Sequence, residues 1–295
     1  MKKGLLLFLL TCLSLALMGQ PKVKVVTSLS DLAEFTRVIG GDRVEVDNLV
    51  RGSQNPHYID VKPSYMMKLK SAQAFVIIGM QLELWAPQII DGSRNANLLV
   101  IDCSKYVHKM EVPGTKLDAS AGDVHPFGNP HYWLDPENIR FVLQGICEGL
   151  AKLSPHDQEY FQSNMDSYLE RLAQKIGEWK TIMAPLRGKK LVTYHTSFSY
   201  FAERFGLHIV GYVEPKPGIP PTPSHSTELI SLMREAGVKV IGLEQYYEDN
   251  TPLHIAETTG ATVVRLSTSV GGLEGTDDYI RLMDHNVRSL ATALQ

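Results

Sequence analysis

The sequence is poor in cysteine, has no excess of basic residues and, beyond its first twenty positions, carries no long apolar run. Lys+Arg number 29 against Asp+Glu 32, a formal charge of -3, so the charge surplus needed to hold a nucleic-acid backbone is missing. No nucleic-acid partner is expected. Beyond residue 20 the only cysteines are Cys103 and Cys147, and without a CxxC pair they offer neither a dithiol redox motif nor a thiolate zinc site. Two readings of them stay open, a single disulfide or two buried thiols. Also missing are a GxGxxG after a strand, a GxxxxGK[ST] phosphate loop, HExxH and GxSxG, which removes the common nucleotide-binding and hydrolytic signatures.

What is present begins with Lys2 and Lys3 ahead of an apolar stretch from Leu5 to Met18, closed by Gly19-Gln20-Pro21. A run of about 14 residues is short for a membrane span, which needs roughly 20, and it reads as a secretion signal over residues 1–19. A periplasmic or otherwise extracytoplasmic location is expected. Leu9-Leu10-Thr11-Cys12 loosely suggests lipoprotein processing, but it falls before most of the apolar run has passed, so a lipid anchor is the lesser alternative.

The 295 residues, 44% hydrophobic and 21% charged, suffice for one large core or two smaller ones. Strand-like runs at Lys22–Thr27, Val44–Val50, Ala74–Gly79 and Leu98–Ile101 alternate with helical patterns. The cadence restarts after residue 186 with Lys190–Tyr194, His208–Val213, Val238–Leu243 and Ala261–Leu266. The fold class is α/β: two lobes, each with a mostly parallel four-stranded sheet, over residues 20–153 and 186–295. Between them residues 154–185 predict one long helix, with Ser154 as cap, Pro155 at its first position and a stripe of Phe161, Met165, Tyr168, Leu172, Ile176, Trp179 and Met183. Some 30 residues at 1.5 Å each make a rod of about 45 Å. The stripe reads as packing surface. Because bending a helix breaks backbone hydrogen bonds, only small lobe movements are expected.

The residues able to carry chemistry are histidines. His195 directly follows the strand Lys190–Tyr194, where a parallel sheet opens its ligand crevice. His57 and His131 each stand in the tetrapeptide Asn-Pro-His-Tyr, at residues 55–58 and 129–132. In both, proline fixes the backbone just before the imidazole and lowers the entropy cost of aiming it. Two preset histidines favour a shared ligand. The other seven, His108, His125, His156, His208, His225, His254 and His285, read as surface or satisfied polar residues. The short loop that holds Asp118, Asp123 and His125 is too poor in histidine to collect metal.

The tetrapeptide near the start, Asn129-Pro130-His131-Tyr132-Trp133-Leu134-Asp135-Pro136 in the middle and Tyr194-His195-Thr196-Ser197-Phe198-Ser199-Tyr200-Phe201 later resemble the cluster A-I metal-binding proteins over essentially the whole mature chain. These are the zinc and manganese receptors of bacterial ABC importers, of the ZnuA and TroA type. The resemblance implies two α/β lobes joined by one long helix, with metal between them. It further implies that His57, His131 and His195 are ligands, that the partner is a membrane permease with its ATPase, and that the chain is a monomer and not an enzyme. Many members place an aspartate after the last strand of the second lobe, where this chain reads Leu266-Ser267-Thr268-Ser269-Val270. Thr268 therefore stands where a fourth, carboxylate ligand is expected, leaving that place to water or to Glu274 or Asp277. Three imidazoles suit Zn²⁺ better than Mn²⁺, which prefers oxygen, and zinc is the expected cargo. A manganese or iron receptor of the same fold is the nearer alternative; a zinc-dependent hydrolase with a three-histidine site and bound water, or an adhesin with a structural metal, are the alternatives from other classes.

Overall fold

The computed structural model describes residues 22–114 and 125–295. The proposed signal, Cys12, Asp118 and Asp123 lie outside the described residues. Among those described, no helix is long and apolar enough to cross a membrane.

The first lobe is built as β1 (Val23–Leu29), α1 (Ser30–Gly40), β2 (Val44–Val50), α2 (Pro63–Ser71), β3 (Ala74–Ile77), α3 (Ala86–Ser93), β4 (Leu99–Asp102) and α4 (Ile139–Leu153). The helix α5 (Gln158–Met183) follows. The second lobe is β5 (Lys190–Thr193), α6 (Ser199–Phe205), β6 (His208–Tyr212), α7 (Pro223–Ala236), β7 (Val240–Glu244), α8 (Asn250–Thr259), β8 (Thr262–Leu266) and α9 (Tyr279–Leu294). The sheets run in the orders β2-β1-β3-β4 and β6-β5-β7-β8, with every pairing parallel. Each order reverses direction beside its first strand, at β1/β3 and at β5/β7. Such reversals splay the flanking loops apart and open a crevice at the carboxyl ends of the strands.

The expected long helix is present with shifted ends. Pro155–Asp157 form a single 3-10 turn before α5, and Ala184–Leu186 form another after it. Ser154 does not cap a helix N–H; its hydroxyl donates to the Asp157 carboxylate at 2.7 Å. The 26 residues of α5 make a rod of about 39 Å. Its stripe is buried as expected at Phe161, Met165, Tyr168, Leu172, Trp179 and Met183, whereas Ile176 is half-buried.

That stripe is the spine of one continuous apolar core. Phe35 and Val25 of the first lobe, Trp179 of the rod, Leu191 and Leu266 of the second sheet, and Leu290 of α9 all belong to it. Smaller clusters fill the outer face of each sheet. Polar bonds also cross between the lobes. The Tyr279 hydroxyl donates to Trp133 O at 2.6 Å, Trp133 Nε1 donates to Thr268 O at 2.8 Å, and Arg204 makes a two-pronged ion pair with Asp135 at 2.7 Å. Cys103 and Cys147 are both free, buried thiols, so of the two readings the disulfide is not formed.

Candidate metal centre

Each of the three histidines stands on a loop aimed by local bonds. In both Asn-Pro-His-Tyr segments the asparagine side chain accepts the backbone N–H of the histidine two residues on, Asn55 Oδ1 from His57 at 3.0 Å and Asn129 Oδ1 from His131 at 2.9 Å. The repeated sequence is thus a repeated turn. Trp85 Nε1 donates to Pro56 O at 3.0 Å and fixes the His57 loop from within its own lobe.

Asn129 also accepts from His131 Nδ1 at 2.8 Å, while its Nδ2 donates to Glu111 and to Thr196 O, each at 2.9 Å. With its donor end engaged twice, Asn129 must turn its oxygen to the ring. That makes Nδ1 the protonated nitrogen of His131 and leaves Nε2 as the one that can face a metal. His195 is fixed in the same sense: its Nδ1 bonds the buried Glu214 carboxylate and its backbone N–H donates to Glu244 Oε1 at 3.3 Å. A carboxylate behind an imidazole sets the ring's orientation and raises the basicity of its opposite nitrogen.

The three rings converge. His57 Nε2 and His131 Nε2 are 3.0 Å apart, and ring centroids are 5.1 Å apart for His57–His131, 5.2 Å for His57–His195 and 5.1 Å for His131–His195. One nitrogen from each ring lies within 4.8 Å of the other two. Zinc–nitrogen bonds of 2.0–2.1 Å at the tetrahedral angle would place neighbouring nitrogens about 3.3 Å apart. The cluster therefore needs to draw in by no more than about 1.5 Å. All three are buried, and burial, then the neighbouring rings of His57, His195 and His125, hold His131 well below the usual imidazole range. Neutral imidazole is the form that binds metal. Burial pushes Glu244 up to about 8. A dication placed among these rings would offset the burial of both carboxyls.

The Thr268 hydroxyl is engaged with Gln245, accepting from its Nε2 at 3.1 Å. Neither acid expected to reach in does so. Glu274 is exposed, and Asp277 is exposed beside Arg281 at 3.4 Å. His125, read from sequence as a surface or satisfied polar residue, is buried and stacked on His57 with centroids 5.2 Å apart.

Sequence reasoning passed over Glu214, Glu244 and the role of Asn129. Glu214 stands two residues beyond β6 and Glu244 is the last residue of β7, so the strand-mouth argument that singled out His195 also pointed to them. His125 gave no such signal, because its position depends on the chain folding back over the His57 loop.

Two parallel α/β lobes locked by one rod, with a buried imidazole cluster where they face each other, define a substrate-binding protein for a transition-metal cation. A family model described as ZnuA, zinc-uptake complex component A, periplasmic, matches residues 25–293, and the chain belongs to that family. It is 26% identical over 280 residues to the high-affinity zinc uptake system protein ZnuA of Bacillus subtilis (strain 168), covering 92% of this chain and 88% of that one. It is 26% identical to the zinc-binding protein AdcA of Streptococcus pyogenes serotype M3, with 92% of this chain aligned but only 56% of that longer protein. Identity to the manganese-binding lipoprotein MntA of Halalkalibacterium halodurans is 25%, over 92% of this chain and 88% of the other. A crystal structure of ZnuA superposes with a TM-score of 0.81 at 25% identity, covering 93% of this chain and all of that one.

Proposed function

We propose that the chain captures Zn²⁺ between its lobes through His57, His131 and His195 and delivers it to the permease of an ABC importer. The observation that carries this is the meeting of three buried imidazoles, from both lobes, with one nitrogen of each inside 4.8 Å. Membership of a zinc-uptake family supports the cargo, and the donor set supports it independently. Nitrogen ligands favour Zn²⁺ over Mn²⁺, whose preferred ligands are carboxylate and water. The relationship to MntA makes Mn²⁺ the competing cargo. The role is capture and release without chemical turnover, by a monomer whose lobes are residues 20–153 and 186–295 flanking the rod of 154–185. Residues 1–19 act as the secretion signal, which the mass of the exported mature protein checks.

The test is to strip the purified protein with chelator and titrate it with Zn²⁺ and with Mn²⁺. A ligand that binds only the native state stabilises it by RT ln(1+[L]/Kd), about 4 kcal/mol at a thousandfold excess over Kd. Zinc should raise the melting temperature and manganese should raise it less. A melting curve indifferent to zinc contradicts the reading. A protein that unfolds when stripped points instead to structural metal.

A further inference from the structure

The loop that presents His57, residues 51–62, contains neither helix nor strand, yet its imidazole must hold a fixed place among three. Within its own lobe it is tied by Trp85 at Pro56 O. At its other end it rests on the second lobe. A Cβ at Gly52 would collide with the Val270 carbonyl oxygen and the backbone of Gly271, so the loop lies directly on that segment with no room for a side chain. In this seat the Gln245 carboxamide makes a bond that crosses the interface, Nε2 donating to Gly52 O at 2.7 Å. The same carboxamide is held on its other side by Thr268, whose N–H donates to Gln245 Oε1 at 3.0 Å and whose hydroxyl accepts from Nε2 at 3.1 Å. With both ends engaged, the amide cannot flip without losing bonds. Gln245 also follows Glu244, the residue that receives the His195 N–H, directly in sequence. Thr268 in turn takes Trp133 Nε1 on its carbonyl, two residues past His131. Supports of all three histidines thus meet at Gln245 and Thr268.

We propose that Gln245 is a positioning residue for metal retention: it ties the His57 loop of one lobe to the second lobe, so that His57 stays on the ion only while the two lobes stay in register. This rests on the three-histidine reading above. Breaking the tie frees a loop end and not a core element, so its effect falls on metal release more than on folding. Release, not capture, is where differences within one binding site usually appear. Residues that orient metal ligands contribute about ten- to a hundredfold in affinity.

The experiment loads the full mature protein with Zn²⁺ alone, adds excess chelator and follows zinc release for the parent, Gln245→Leu and Gln245→Glu. Both remove the Nε2 donor to Gly52 O, and Gln245→Glu keeps an acceptor for the Thr268 N–H, so one remains informative if the other fails to fold. Release should be about ten- to a hundredfold faster in both. The melting temperature of the metal-free form should stay with the parent's, and amide hydrogen exchange over residues 51–58 should quicken. Release at the parent's rate overturns the tie, and so does faster release accompanied by a matching fall in metal-free stability, which marks a merely structural role. A parent that takes up no zinc defeats the underlying reading instead.

Discussion

At the scale of single residues, two of the three imidazoles are committed to one orientation by a neighbouring side chain. Asn129 commits His131, and Glu214 commits His195. Glu214→Ala should therefore weaken zinc binding by about ten- to a hundredfold while leaving all three ligands in place, as measured by competition with a chromophoric chelator. His131→Ala removes a proposed ligand outright and should abolish the zinc-induced rise in melting temperature; an undiminished rise would exclude His131 from the site. The three candidate ligands were legible because their signals are local: a proline before the ring, or a strand ending at it. Glu214 and Glu244 shared the strand-mouth signal but not their pairing with His195, 19 and 49 residues away, and His125, 68 residues from His57, gave no local signal at all.

At the scale of elements, α5 is the part of the fold most plainly written in the sequence. A stripe recurring every three or four residues can bury itself only as a helix. The ends of the helix were less legible, because Ser154 had a choice between capping and bonding Asp157, and took the latter. Strands ended within about two residues of expectation for a similar reason: hydrogen bonding with neighbours, not composition, sets where a ladder stops. Gly177 gives α5 a testable weakness. A Cβ built there meets nothing within 4 Å, so Gly177→Ala should stabilise the metal-free protein by about 1 kcal/mol in chemical denaturation. Unchanged or lower stability would show that the rod is strained at that turn.

At the scale of the molecule, the shared core and the bonds between the lobes make wide hinge opening costly, so metal exchange should need only a small separation. The interface also carries buried carboxyls. Burial raises Asp31, which accepts the Val270 N–H, to about 7, and raises Glu34, which accepts the Tyr279 N–H, to about 8. A carboxyl whose native pKa lies above its unfolded value is favoured in its protonated form, so its contribution is complete below the unfolded value near 4, declines above it and is gone once pH has risen through about 7 and 8. His131, lowered in the native state, acts on the other side: stability falls as pH drops below the unfolded imidazole value near 6.5. In metal-free protein the carboxyl contributions should accordingly decline between about pH 4 and pH 8. Glu34→Gln keeps the acceptor oxygen and should flatten that decline in a series of melting curves from pH 5 to 8; an identical decline would remove Glu34 as a source.

Everything here depends on one cation being shared by imidazoles of both lobes. X-ray absorption at the zinc edge on the one-to-one complex, for the parent and His131→Ala, reads that directly. A first shell of three nitrogens near 2.0–2.1 Å with at most one further light ligand is expected, and it should be lost in the variant. A shell with sulfur or of oxygen only, or one that survives His131→Ala unchanged, would contradict it.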